Sequence, residues 1–161
     1  MTSKLRIICI CSGNICRSPM AVAHLRRRLA DLDQPAVVIS GGTLGIHGRR
    51  ADPLARKIVR RSDPKAGAII DEHRSQGLSP AMLQRADRLV IMSPRHRRFI
   101  EEHAPQVLPK VVKLWQFTDE EPPIDRIPDP VGYDLQVFAK CHALIVDGLD
   151  AWLEQLLAHH S

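Results

Sequence analysis

Short apolar runs alternate with longer amphipathic stretches along the sequence, and this alternation constrains the fold more than any other feature. The first run lies within Lys4 to Ile10 and reads LRIICI. It is β-rich and apolar on both faces, which is typical of a central parallel strand covered by helices. Further strands are predicted over Ala36–Ser40, Arg88–Met92 and Val111–Trp115. The pattern predicts an α/β fold with a four-stranded parallel sheet, right-handed crossovers and helices on both faces.

Helical spacing of apolar residues predicts the elements between and after the strands. Three of them cover Ser18 to Ala30, Leu78 to Ala86 and about Leu135 to His159. Two more begin at Pro53, with Asp52 as N-cap, and at Pro94. The acidic, proline-rich segment from Asp119 to Pro130 predicts a functional loop. A chain of 161 residues is enough for one domain with a core and too short for two ordinary ones, so residues 1–161 are interpreted as a single domain.

Composition and charge exclude several classes of protein. No apolar stretch approaches the roughly 20 residues of a membrane span, and no signal-peptide pattern is visible, so a cytoplasmic protein without a membrane span is expected. Four cysteines, three of them crowded near the N-terminus, do not make a disulfide framework. The net charge of +5 comes largely from arginine and allows an anionic partner. With aromatic residues at 4% and no recognised module, nucleic acid is not expected.

The loop from Cys11 to Ser18, CSGNICRS, carries the clearest chemical signal. It places a thiol and a guanidinium six positions apart in a turn between the first strand and the first helix. Backbone N–H groups of such a turn, together with the helix N-terminus, favour an oxyanion. Arg17 can hold a phosphate through two hydrogen bonds, and the positive field stabilises a thiolate at Cys11. The spacing alone also fits a buried strand-end cysteine followed by an ordinary turn, with Arg17 on the surface.

The segment ICICSGNICRSPMA resembles the signature of the low-molecular-weight protein tyrosine phosphatases, whose loop reads C-x-G-N-I-C-R-S-P. The resemblance continues through Ser40-Gly41-Gly42-Thr43, His47 with Asp52-Pro53, His73-Arg74-Ser75, Met92 and Asp129-Pro130. It implies a phosphatase that hydrolyses phosphotyrosine and small aryl phosphates through a cysteinyl-phosphate intermediate, with a phosphate-binding loop between strand 1 and helix 1. It implies no cofactor and no metal.

The resemblance also implies a role for each matching residue. Cys11 is the expected nucleophile, Arg17 the phosphate clamp, and Asp129 the general acid that later acts as a base. Asp125 and Asp134 are nearby carboxylates and alternative candidates for the acid. The expected phosphate-binding loop comprises Ser12, Gly13, Asn14, Ile15, Cys16 and Ser18.

Three of the expected roles concern support and protection of the site. Ser18 is expected to stabilise the thiolate, and Asn14 to hold the loop shape, with Ser40 and His73 as its partners. Cys16 matches the family's second loop cysteine, and a disulfide between Cys11 and Cys16 is expected to protect the nucleophile reversibly.

The sequence departs from the family where aromatic side chains usually line the substrate pocket. Ile46, Val131 and Gly132 stand at those positions, and Tyr133 is a candidate replacement for one wall. A catalytically impaired, phosphate-binding scaffold or regulatory protein of the same fold is therefore the alternative hypothesis.

Two related activities fit the sequence less well than tyrosine phosphatase activity. Thiol-linked arsenate reductases use further mid-chain cysteines, and this sequence has none from Pro19 to Lys140. Protein-arginine phosphatases carry Thr where this loop has Ile15. The expected partner is a tyrosine-phosphorylated protein, and by analogy with bacterial members a cognate tyrosine kinase.

Overall fold

Four parallel strands form one sheet, in which the first strand along the chain lies between the second and the third, and the fourth lies beyond the third. The computed structural model describes residues 4–159, so both ends of the predicted 1–161 domain lie outside the described residues. The strands are β1 (Leu5–Cys11), β2 (Ala36–Gly42), β3 (Arg88–Ile91) and β4 (Val111–Lys113). Every β1 residue except Arg6 is buried, because β1 has a strand on either side and helices over both faces. The predicted parallel sheet is confirmed.

Helices connect the strands and cover both faces of the sheet. They are α1 (Arg17–Asp31), α2 (Pro53–Ser62), α3 (Pro64–Asp71), α4 (Pro80–Arg85), α5 (Pro94–His103) and α6 (Leu135–Ala158). The crossovers β1-α1-β2 and β3-α5-β4 run in opposite directions from the centre of the sheet. Since such crossovers are right-handed, α1 and α5 lie on opposite faces. None of the helices within residues 4–159 combines the length and the apolarity that crossing a bilayer requires.

Local sequence signals explain where several helices begin. Proline occupies the first turn of α2, α3 and α4, where its missing N–H costs nothing. The side chains of Asp52, Asp63 and Ser79 cap these helices by accepting backbone N–H groups, which confirms the predicted cap at Asp52. The N-terminus of α1, at Cys16, has no side-chain cap. Its first backbone donors therefore remain available to a ligand.

Most predicted boundaries differ from the structure by one or two residues, and at two of them the structure shows why. The helix predicted from Leu78 begins only at Pro80, because Ser79 caps it. The strand predicted to Trp115 ends at Lys113, and Leu114–Phe117 form a 3-10 turn. Leu114 is fully buried against Gly148 of α6, and this packing turns the chain away from the sheet. Helix α3 and a second 3-10 segment, Pro105–Lys110, were not predicted.

Candidate active site

The candidate site lies at the carboxyl ends of β1 and β3, where the strand order reverses. In open α/β sheets this point is the usual place for a ligand. The residues that follow β1 and those that follow β3 meet here around a cleft of about 240 Å³. The cleft is lined by Ser12, Arg17, Ser93, Pro94, Arg95, Arg98, Arg126 and Asp129.

Cys11 ends β1 and is surrounded by hydrogen-bond donors. Its Sγ lies 2.9 Å from the Ser18 Oγ and 3.3 Å from the backbone N of Asn14, which donates to it. The Ser18 Oγ already accepts a hydrogen bond from the Asn14 Nδ2, at 2.7 Å. The Ser18 hydroxyl hydrogen is therefore free to point at the sulfur. Two hydrogen-bond donors are therefore directed at one sulfur.

Asn14 holds the loop in a conformation that few residues adopt. Its φ is 60°, in the left-handed region, and its side chain is fully buried. The Nδ2 donates to the Ser40 Oγ as well as to Ser18, and the Oδ1 accepts the backbone N–H of Gln76 at 2.9 Å. The His73 Nε2 lies 2.6 Å from the Asn14 carbonyl oxygen. The partners expected at Ser40 and His73 are thus in contact with Asn14.

Several backbone donors of the loop are unused. Within the described part of the chain, the N–H groups of Gly13, Ile15 and Cys16 make no hydrogen bond. They precede the uncapped N-terminus of α1. Free N–H groups of a loop that leads into a helix N-terminus form a site for a phosphate or another oxyanion.

Arg17 and Asp129 lie together at the cleft. Arg17 is buried, and its Nη1 donates to the carbonyl oxygen of Ile127 at 2.8 Å. Its Nη2 is 3.6 Å from the Asp129 Oδ2. The loop that carries Asp129 is fixed to the sheet, since Ile127 is fully buried and its N–H donates to the Met92 carbonyl. The segment from Asp119 to Pro130 contains no helix or strand, as predicted.

The two alternative acids lie in other environments. Asp125 is exposed and pairs with Arg126, whose guanidinium lowers the pKa of that carboxyl. Asp134 caps α6 by accepting the N–H of Val137. Neither residue lines the cleft, whereas Asp129 does.

The other three cysteines are held as neutral thiols. Burial raises the pKa of Cys9 and of Cys16, and nearby Asp52 and Asp129 raise that of Cys16 further. Burial also raises the pKa of Cys141 to about 12. Cys11 and Cys16 are both free thiols here. Within residues 4–159, no group of three His, Cys, Asp or Glu side chains is placed to hold a metal ion.

His96, a buried histidine of α5, makes a hydrogen bond to the loop, and the sequence analysis did not identify it. The His96 Nδ1 accepts the backbone N–H groups of Met92 and Ser93, so its Nε2 carries the proton and donates to the Ser12 Oγ at 3.1 Å. Burial, together with Arg17 and Arg95, lowers the pKa of His96 to about 3. The sequence signal that could have identified His96 is its position just after the predicted strand Arg88–Met92. Residues at the carboxyl ends of neighbouring parallel strands meet at the same edge of the sheet.

The residues proposed as substrate walls lie outside the cleft lining. Val131 and Tyr133 are exposed, at 47% and 64%. Ile46 is half-buried and lies close to Gly13 of the loop. Their role as walls stays a prediction. The side chains around the opening are instead arginines, namely Arg95, Arg98 and Arg126.

Comparison with known proteins shows which family this chain resembles. A family model described as low molecular weight phosphotyrosine protein phosphatase matches residues 6–161. The chain belongs to this family. The resemblance expected from the sequence is confirmed, and with it the enzyme class, since members are cysteine-dependent phosphoric monoester hydrolases.

Individual relatives extend this result. The chain is 35% identical to a probable low molecular weight protein-tyrosine-phosphatase, EpsP, of Ralstonia solanacearum, over 94% of this chain and 96% of the relative. The tyrosine phosphatase Wzb from Escherichia coli K30, in complex with sulphate, has a TM-score of 0.81, 26% identity, and coverage of 96% of this chain and 99% of that one. The YwlE arginine phosphatase from Geobacillus stearothermophilus also has a TM-score of 0.81, with 28% identity and coverage of 96% and 94%. Overall similarity therefore does not distinguish the two substrates.

Proposed function

We propose that the protein is a single-domain protein-tyrosine phosphatase that hydrolyses phosphotyrosine and small aryl phosphates through a cysteinyl-phosphate intermediate. The observation that carries the proposal is the environment of Cys11. Its sulfur accepts from Asn14 N and faces Ser18 Oγ. The loop that Cys11 begins carries free N–H groups and Arg17, and the Arg17 guanidinium lies 3.6 Å from the Asp129 carboxyl in the cleft. This arrangement can bind a phosphate dianion and supply a nucleophile and an acid to it.

In the first step, the Cys11 thiolate attacks phosphorus. The S–P bond forms while the bond from phosphorus to the phenolic oxygen breaks, and the electron pair of that bond goes to the oxygen. Asp129, as the carboxylic acid, gives its proton to this oxygen. Arg17 and the free N–H groups of Gly13, Ile15 and Cys16 bind the equatorial oxygens, where charge is spread in the transition state.

In the second step, a water molecule attacks the phosphocysteine. Asp129, now a carboxylate, takes a proton from this water, and the S–P bond breaks. The electron pair returns to Cys11 as a thiolate, and the Ser18 hydroxyl stabilises it. Inorganic phosphate leaves and the starting state of the enzyme is restored.

Loop residues favour tyrosine phosphatase activity over the two related activities. Ile15 presents an apolar side chain where the arginine phosphatases carry Thr, and it is only half-buried, at the edge of the loop. Arsenate reduction needs a cysteine relay in the middle of the chain, and the sequence has no cysteine between Pro19 and Lys140. We propose a tyrosine-phosphorylated protein as substrate, with a cognate tyrosine kinase as one candidate.

A direct assay of four substrates tests the proposal. With a chelator present, the enzyme should hydrolyse p-nitrophenyl phosphate and a phosphotyrosyl peptide, and should show little activity on phosphoarginine or on arsenate with thiols. Turnover of phosphoarginine in preference to phosphotyrosine contradicts the tyrosine assignment. A single burst of product without turnover supports the impaired scaffold instead.

Two variants test the roles within the loop. Cys11→Ser should abolish turnover yet still bind inorganic phosphate in calorimetry, because the N–H groups and Arg17 remain. Arg17→Lys should lose both, since a point charge on a flexible stem does not reproduce the planar guanidinium. Near-normal activity of Arg17→Lys contradicts the clamp assignment.

A further inference from the structure

The opening of the cleft carries more positive charge than one phosphate needs. Its lining contains the guanidinium groups of Arg17, Arg95, Arg98 and Arg126, and Asp129 is its one carboxylate. Arg17 is buried at the base and is assigned to the phosphate that reacts. The remaining three arginines surround the opening, and all three are exposed.

Two of these arginines have no acidic partner of their own. Arg95 and Arg98 are three residues apart on α5, so they project from neighbouring positions of one helix face. Neither forms an ion pair with a carboxylate among residues 4–159. Arg97, between them, pairs with Glu101 and does not line the cleft. Two neighbouring unpaired guanidiniums repel each other until an anion lies between them.

The third arginine is held only weakly. The Arg126 Nε lies 3.2 Å from the Asp125 Oδ1, and both side chains are more than half exposed. A surface ion pair of this kind contributes little to stability, so Arg126 can exchange Asp125 for an anion on a bound peptide. The same opening has few apolar walls, because Val131 and Tyr133 are exposed outside the cleft lining.

We propose that Arg95, Arg98 and Arg126 form a second anion-binding subsite that selects peptides with an acidic group close to the phosphotyrosine. The inference rests on the proposed function, because the peptide must place its phosphotyrosine in the cleft. The acidic group is a carboxylate or a second phosphate, and guanidinium groups bind both in the same bidentate manner. Substrate choice then depends on charge near the reacting phosphate more than on stacking against the tyrosine ring.

The test compares kcat/KM for three phosphotyrosyl peptides of one sequence. One peptide has glutamate at the flanking positions, one has glutamine there, and one carries a second phosphotyrosine next to the first. The wild-type enzyme should prefer the glutamate peptide to the glutamine peptide by about tenfold, the sum of several modest exposed ion pairs. The double variant R95Q/R98Q should reduce this preference to less than about twofold.

A matched control variant lies on the same helix. R97Q removes one positive charge next to both residues but outside the cleft, so it should keep the preference of the wild-type enzyme. Thermal unfolding checks that all variants fold. If kcat/KM rises more from the glutamine peptide to the doubly phosphorylated peptide than from the glutamine peptide to the glutamate peptide, the subsite is assigned to phosphate. An equal or smaller rise assigns the subsite to carboxylate.

Three outcomes overturn the inference. Equal kcat/KM for acidic and neutral peptides with the wild-type enzyme shows that the subsite does not exist. Equal loss of preference in R97Q and R95Q/R98Q shows that only overall charge matters. Absence of any phosphotyrosine hydrolysis overturns both the proposed function and the inference. The first two results, in contrast, overturn the inference alone, because phosphotyrosine is still hydrolysed.

Discussion

Cys11 differs from the other cysteines in what surrounds its sulfur. Burial raises the pKa of Cys9, Cys16 and Cys141, so these thiols stay protonated at neutral pH. The sulfur of Cys11 has instead a backbone N–H and a serine hydroxyl directed at it. We therefore propose that the hydrogen-bond donors within about 3 Å of this sulfur select Cys11 as the nucleophile among four chemically identical side chains.

Asp129 can be tested with substrates that differ in their need for a proton. Asp129→Asn should lower kcat/KM for phenyl phosphate by about 10² or more, because its leaving group is strongly basic. The loss should be smaller for a phosphate ester whose leaving group has a pKa near ~7. The comparison uses kcat/KM because hydrolysis of the phosphocysteine is common to both substrates and can mask the difference in kcat.

The control for this experiment is the same change at the two other acids. Asp125→Asn and Asp134→Asn should leave the ratio between the two substrates unchanged, since neither residue lines the cleft. Equal losses for both substrates in Asp129→Asn exclude this residue as the acid.

Cys16 provides a test of redox protection. Mild peroxide should oxidise Cys11, and a disulfide with Cys16 should make the loss of activity reversible by dithiothreitol. Cys16→Ser should lose most of this recovery, because Cys11 then proceeds to the sulfinic acid. Cys9→Ser is the matched control and should recover like the wild type. Activity regained after reduction is the measurement, and equal recovery in all three proteins rules out the protective role.

At the scale of elements, the phosphate-binding loop depends on the strand beside it. The residues that follow β2 run beside the loop, with Thr43 N and Leu44 N donating to the carbonyls of Cys11 and Ser12. Gly42 allows this approach, because a Cβ there would lie 2.6 Å from the Ser12 carbonyl oxygen. The loop is thus shaped by β2 and the segment around Gln76 as well as by its own residues.

Gly42→Ala should therefore affect phosphate binding as well as folding. The added methyl group pushes against Ser12 and Asn14, and we expect at least about a tenfold weaker inhibition by inorganic phosphate together with about 1–3 kcal/mol lower stability. Gly41→Ala is the control, since its Cβ would meet Leu78 at 2.4 Å, on a residue outside the loop. It should lose comparable stability in urea unfolding but keep phosphate inhibition. Unchanged inhibition in Gly42→Ala contradicts this dependence.

The elements that could be predicted from the sequence are those with a strong local signal. β1, α1 and the cap at Asp52 follow from apolar runs, periodicity and capping chemistry. The contacts of Gln76 and His96 with the loop could not be predicted, because they join segments 62 and 84 residues apart. Arg95, Arg97 and Arg98 lie close together in the sequence, but only the fold shows that Arg95 and Arg98 line the cleft whereas Arg97 pairs with Glu101.

For the whole molecule, buried histidines link stability to pH. Burial lowers the pKa of His96 to about 3 and of His142 to about 4. As the pH falls, each of these histidines binds a proton near pH 6.5 in the unfolded chain and only at a lower pH in the folded protein. Stability is therefore complete above about pH 6.5 and falls as the pH drops toward the folded pKa values, by up to about 1.4 kcal/mol per pH unit for each histidine.

This dependence predicts a specific change in one variant. His142→Gln, on α6 and outside the cleft, should reduce the slope of unfolding free energy against pH between about pH 6 and 4.5. Urea unfolding at a series of pH values measures it. His47→Gln, at an exposed position, is the control and should leave the slope as it is. An unchanged slope in His142→Gln contradicts the linkage.

The central claim, that Cys11 attacks phosphorus, is tested most directly by trapping the covalent intermediate. The enzyme is mixed with a phosphotyrosyl peptide, quenched within one turnover, digested and analysed by mass spectrometry. We predict one added phosphoryl group on Cys11, at a higher level in Asp129→Asn when an activated ester is the substrate, because hydrolysis of the intermediate is then slowed. A phosphoryl group on another residue, or full turnover by Cys11→Ser, contradicts the account.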